Sequence, residues 1–171
     1  QTIKMIFEWL PRAYRDGNDL MPRIKMQQAA MMAGIPLSNV GSGISHALGH
    51  TIGGLYHIHH GAMVLLFIPY ELQVYSKATD RHLEICDLLG IRDNSSDKKS
   101  LSNLIDKIRG LMSELHLAFS LKDAGIAKND FEKNLDFILN QTPTDPAFYF
   151  GWFDLTREQL RDVFICAYDG K

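Results

Sequence analysis

The sequence is short of cysteine, of net charge and of long apolar runs, and each shortage removes a class of protein. Two cysteines in 171 residues, Cys86 and Cys166, cannot build a disulfide framework. They fit a reduced, cytoplasmic chain, in which both are expected to sit buried and inert on helical stripes. A formal net charge of −2 supplies no global drive toward nucleic acid or an acidic membrane. The longest apolar run, Ala62 to Ile68, is well under half of the roughly 20 residues a spanning helix needs. No secretory leader is expected, and a chain that opens on Gln1 rather than Met is expected to be a piece of something longer. One further shortage is local: between Asp19 and Glu71 there is no Asp or Glu at all.

What is present reads as one helical domain. Hydrophobic residues make up 46% and charged residues 22%, close to a globular average, which excludes wholesale disorder. A chain of this size buries roughly 70% of its unfolded surface, enough for a sizeable core. Ile3, Ile6, Phe7 and Leu10 recur at helical spacing, and Pro11 is expected to bend or end that helix. Asp19 is expected to cap a second helix through Met32, with Gly34 just past its end, and Ser42 to cap a third to about Ile52, broken by Gly53-Gly54. A fourth should run from about Ala62 to Ser76, kinked at Pro69, and a fifth from Thr79 to Leu89, closed by Gly90. Ile91 to Lys99 reads as a solvated loop carrying Lys98-Lys99. Ser100 should then cap the stripe Leu101, Leu104, Ile105, Ile108, Leu111, Met112, Leu115. Asn129 with Glu132, and Thr156 with Gln159, have the spacing of capping boxes. Met5, Met21, Met26, Met31 and Met32 read as core filling, and His82 and His116 as surface residues. The expectation is an all-α domain of about seven or eight helices spanning residues 1–171, without strands or internal repeats.

The chemistry lies in the histidines. Five of the seven, His46, His50, His57, His59 and His60, fall within fifteen positions, where even scattering would put fewer than one. Imidazole is the commonest side-chain metal ligand and a proton shuttle near neutral pH. His46 and His50 are four apart and share a helix face. On a continuous helix His46 and His60 would stand about 21 Å apart, so they can share an ion only if the chain reverses between them. Gly53-Gly54 can supply that turn, bringing His60 back beside His46. The acid-free stretch offers no oxygen ligand, so His50, His57 or His59 completes the site, or the missing ligands lie elsewhere in the fold or in sequence beyond this chain.

The stretch LSNVGSGISHALGHTIGGLYHIHHG, Leu37 to Gly61, resembles the signature of the iron-containing (group III) alcohol dehydrogenases. IFEWLPRAYRDGNDLMPRIKMQQAAMMAG resembles the two helices that precede that signature. LKDAGI resembles the family's L-x-D-x-G-I/V loop, and Asp145-Pro146 followed by LTREQL resembles its closing N-P-R and T-x-E-x-I/L segments. The resemblance implies that His46 and His60 are metal ligands for Fe²⁺ or Zn²⁺, and that His50 is a catalytic residue beside the reacting carbon and the nicotinamide of NAD or NADP. It also implies a small alcohol, aldehyde or ketone as substrate, and a homodimer. The family's D-x-x-x-H ligand motif and its Rossmann-like, G-G-G-S-bearing domain are missing from this sequence, and His59 stands where the family usually has Pro. The chain therefore reads as the C-terminal helical domain of such an enzyme, inactive by itself.

Two other classes compete. A free-standing histidine-rich metal-binding or sensor module would bind metal tightly without further sequence. An all-helical His-Asp phosphohydrolase is disfavoured by the lack of any His-Asp dipeptide. The aromatic group Phe148, Tyr149, Phe150, Trp152 and Phe153 reads as a loop over the core, with an interface as the alternative. Ser38-Asn39 reads as a cap for the signature helix.

Overall fold

The computed structural model describes residues 1–150 and 155–171. Its α-helices are α1 (Thr2–Arg15), α2 (Leu20–Val40), α3 (Ile44–Tyr56), α4 (His60–Tyr75), α5 (His82–Leu89), α6 (Asp97–Glu114), α7 (Lys128–Gln141) and α8 (Arg157–Asp169). Tight 3-10 turns cover Thr142–Thr144 and Pro146–Phe150. No strand occurs among the described residues, so the fold is the expected all-α one. The helices gather into two compact units, Gln1–Gly41 with Arg81–His116, and Ser42–Asp80 with Leu117–Lys171.

In the first unit α1 packs against α2, and α5 against α6. Pro11 does not end α1; its ring is buried and the helix continues to Arg15. Asp19 caps α2 as expected, its carboxylate accepting the Met21 N–H at 3.1 Å. The helix overshoots the expected end at Met32, however, running through Gly34 and Pro36 to Val40. A helical glycine costs only about 1 kcal/mol, too little to stop it. The exit is made at Gly41, whose φ of 74° suits a residue without Cβ. Met5 is buried, but Met21 and Met31 are exposed, so the methionines are not uniformly core. Ser38 and Asn39 do not cap α3: they lie in α2 and donate to its own Gly34 and Ile35 carbonyls.

Further along this unit, α5 starts at His82 rather than Thr79, and Gly90 closes it with φ 67°. The cap of α6 is Ser96, which accepts the Lys99 N–H, so Lys98-Lys99 belongs to the first helical turn and not to a loop. Ser100 is fully buried one turn in, where its hydroxyl accepts the Asp93 N–H at 2.9 Å. Of the stripe, Leu104, Ile105, Ile108, Leu111, Met112 and Leu115 are buried and Leu101 is half-buried, and Cys86 is buried beside the Ser100 carbonyl. His116 is exposed, but His82 is half-buried, and its Nδ1 has no hydrogen-bond partner among the described residues.

The second unit is built on the α3–α4 hairpin, with α7 against α3 and α8 against α4 and α7. Leu48, Ile52, Met63, Leu66, Phe67, Leu121, Ile138, Leu160 and Phe164 are among its fully buried side chains, each contributing about 1.5–3 kcal/mol by burial. The α4 helix passes Pro69 without ending. Thr156 and Gln159 form the expected reciprocal capping box, at 3.2 and 2.9 Å. Asn129 and Glu132 do not: α7 starts after Ala127, one residue pair earlier, with no side-chain cap. Cys166 is exposed, against expectation. Of the aromatic group, Phe148 is buried and Tyr149 and Phe150 are exposed; Trp152 and Phe153 lie outside the described residues.

Candidate functional site

The helix bearing His46 and His50 has no cap of its own. Its N-cap is Gly43 rather than Ser42, and glycine brings no side chain to the free N–H groups. Glu71 of α4 takes that role. The Ile44 and Ser45 N–H groups and the Ser45 hydroxyl face its carboxyl and lower its pKa. Burial raises the Glu71 pKa, outweighing the hydrogen bonds that lower it. Burial, followed by the Glu71 charge, pushes the Tyr75 phenol up to about 12. Gly43 is what makes room, since a Cβ there would overlap Glu71 Oε1. The helix carrying His60 therefore caps the helix carrying His46.

The reversal between them is not made by Gly53-Gly54, which stay helical. It is made at His57, whose φ of 55° and ψ of 40° are left-handed and whose N–H returns to the Gly53 carbonyl. Short polar side chains and histidine tolerate this region better than β-branched ones. Ile58 N–H also reaches Gly53 O, at 3.0 Å, and α4 begins at His60. The helices then touch at Gly49, where a Cβ would meet Val64 N at 2.9 Å and Val64 Cα at 3.0 Å. Gly49 is three residues past His46 and Val64 four past His60, so this close approach sets the spacing of the two imidazoles.

Three rings meet as a result. The His46 and His60 centroids are 5.6 Å apart, His46 and His50 5.7 Å, and His50 and His60 4.9 Å with stacked planes. His57 and His59 are exposed and are not among these three. His46 Nδ1 is buried with no hydrogen-bond partner among the described residues. Burial first, and then the neighbouring His50 and His60, push the His46 pKa down, partly opposed by Asp145. It is therefore a neutral imidazole at pH 7, the form that ligates metal. Among the described residues no group of three or more His, Cys, Asp or Glu side chains is arranged to hold a metal ion.

The acidic partner comes from far along the chain. Asp145 Oδ2 lies 2.7 Å from His50 Nδ1, and Asp145 Oδ1 accepts the Ala147 N–H at 2.8 Å. Partial burial raises the Asp145 pKa, but the His50 and Ala147 hydrogen bonds and the nearby imidazoles bring it below the usual carboxylate range. The segment is pinned through fully buried Thr142. Its hydroxyl lies 2.8 Å from the Ile138 carbonyl and 3.1 Å from the Thr51 hydroxyl, which itself donates to Ala47 O. His50, Thr51, Leu55, Phe137 and Asp145 line an open cleft of about 530 Å³. Neither Asp145 nor Glu71 is singled out as a site residue by sequence reasoning. An Asp-Pro pair 95 residues beyond His50 carries no local sign of that partnership.

Comparison with known proteins gives this arrangement a setting. A model of the Fe-containing alcohol dehydrogenase family, C-terminal, matches residues 1–159. The NADPH-dependent butanol dehydrogenase of Clostridium saccharobutylicum is 28% identical over 171 residues, covering 99% of this chain and 43% of that protein. An alcohol dehydrogenase from Oenococcus oeni superposes with a TM-score of 0.86 at 27% identity, covering 98% of this chain and 43% of that one. The iron-containing alcohol dehydrogenase from Thermococcus thioreducens shares the fold, with a TM-score of 0.85 at 24% identity over 99% of this chain and 43% of that one. The chain thus spans under half the length of the relatives it matches. By that family match and that shared helical architecture, the chain belongs to the Fe-containing alcohol dehydrogenase family, as its C-terminal domain.

Proposed function

We propose that this chain is the metal-holding helical part of an NAD(P)-dependent alcohol dehydrogenase acting on a small alcohol, aldehyde or ketone. The observation that carries the reading is the 5.6 Å approach of the His46 and His60 rings across the α3–α4 hairpin. Two imidazoles bound to one ion at 2.0–2.1 Å in tetrahedral geometry have ring centroids about 5–6 Å apart. The orphaned, buried His46 nitrogen fits a group waiting for a partner that the protein itself does not provide. His46 and His60 would hold the ion, and imidazole suits Fe²⁺ and Zn²⁺ alike. Two ligands are fewer than a closed site needs, in keeping with further ligands from outside this chain.

When bound, a divalent ion supplies Lewis acidity toward an alcohol or carbonyl oxygen, and a nicotinamide supplies the hydride chemistry. The chain's own residues do the rest. His50, its side chain 42% exposed beside the cleft, moves a proton between the substrate oxygen and solvent. His60 stacks on it and His46 meets it edge-on, and together they restrict its ring. No helix of the described residues is long and apolar enough to cross a membrane, in keeping with a cytoplasmic enzyme. The family resemblance favours a homodimer.

The test is a zinc or cobalt titration of the 171-residue chain after chelation. Weak binding is expected, lost in His46→Ala and in His60→Ala, with no alcohol oxidation by the chain alone. Tight stoichiometric binding would instead favour a free-standing metal module, and binding indifferent to both substitutions would remove the assignment.

A further inference from the structure

We infer that Asp145 is a positioning residue: it fixes the neutral His50 ring as the Nδ1–H tautomer and leaves Nε2 as the open lone pair through which His50 accepts a proton. The geometry allows little else. An ionised carboxylate only accepts hydrogen bonds, so the 2.7 Å contact with Asp145 Oδ2 requires the proton on His50 Nδ1. The carboxylate cannot swing away, because its other oxygen is held by the Ala147 N–H at 2.8 Å. The backbone behind it is held by Thr142 through the Ile138 carbonyl. A histidine without such a partner can place its proton on either nitrogen; this one cannot.

The consequence is directional. A proton leaving a substrate hydroxyl bonds to Nε2, the other proton stays on Nδ1 and is donated to Asp145 Oδ2, and the imidazolium returns to neutral by releasing the Nε2 proton to water. This use of the tautomer rests on the proton-relay reading of His50 above; the tautomer itself does not.

The experiment is a two-bond nitrogen–proton correlation spectrum of the ¹⁵N-histidine-labelled, metal-free chain at about pH 9, above the ordinary imidazole range. His50 is assigned by its loss in His50→Gln. The expected spectrum shows a protonated Nδ1 and a bare Nε2. In Asp145→Asn, which is isosteric, the amide oxygen stays on Ala147 N–H and turns its NH₂ toward His50. A donor then faces Nδ1, so the proton must move to Nε2 and the pattern inverts. An Nε2–H pattern in the parent chain, or an unchanged pattern in Asp145→Asn, overturns the inference. The parent spectrum decides even where the variant folds poorly. Failure of the metal titration would leave this result standing, and an inverted result here would leave the metal assignment standing.

Discussion

Adding one methyl group at Gly49 should separate the two imidazoles. In Gly49→Ala the new Cβ would stand 2.9 Å from Val64 N, 3.0 Å from Val64 Cα and 3.0 Å from Val64 Cγ2. Carbon atoms in good contact sit about 3.5–4.0 Å apart, so α3 and α4 must part by roughly 0.5–1 Å. Two of the three obstructing atoms are backbone and cannot rotate out of the way. Overpacking of this kind costs about 1–3 kcal/mol. Replacing glycine by alanine within a helix returns about 1 kcal/mol, leaving a net loss of up to about 2 kcal/mol. Gly54 lies on the same helix with nothing within 4 Å of its would-be Cβ, so Gly54→Ala should stabilise by up to about 1 kcal/mol. Urea unfolding followed by circular dichroism should therefore move the two midpoints in opposite directions. Zinc affinity should fall in Gly49→Ala alone. If Gly49→Ala is as stable as Gly54→Ala, the close helix crossing does not set the histidine spacing and the reasoning fails.

Two more outcomes follow from the cap of α3. Gly43→Ala would drive Glu71 Oε1 off the first turn, at a cost of about 0.5–2 kcal/mol. Glu71→Ala should cost a similar amount, and the double variant should lose no more than the worse single one, which a double-mutant cycle of unfolding free energies checks. The second outcome concerns pH. Glu71 has a folded pKa raised above its ordinary 4.5, so the folded chain keeps a proton that the unfolded chain has released. Its contribution is fully present below pH 4.5 and is lost as pH rises through the raised value. As pH rises from 4.5 the parent should lose stability relative to Glu71→Gln, and parallel pH profiles would contradict this.

Helix periodicity and the histidine spacing show the all-α class and the meeting of His46 with His60 before any coordinates. What they misplace is punctuation. Gly34 and Gly53-Gly54 look like helix ends because glycine is a poor helix former, yet the penalty is small and the packing of α3 against α4 outweighs it at Gly53-Gly54. The true reversal falls on His57, a residue type that tolerates the left-handed region without demanding it. Ser100 and Asn129 look like caps because of what they are. Ser100 is instead recruited to a buried position by the Asp93 turn, and Asn129 falls inside α7, which starts without a side-chain cap. Asp145 and Glu71 escape for a different reason. Each acts on a partner brought close only by tertiary folding, and an acid-free stretch around the histidines draws attention away from acids supplied by other segments.

The turn at His57 also bears on the order of assembly. His46 and His60 are separated by 14 residues and meet within one helical hairpin, a contact of low sequence separation that closes quickly and needs little of the remaining chain. The Asp145 contact that orients His50 spans 95 residues and must wait until α7 and the turn after it have docked. A chain with the hairpin formed and α7 not yet docked would already bring together the two histidines proposed as ligands, with His50 still free to carry its proton on either nitrogen. Metal capture would then precede the orientation of the proton relay.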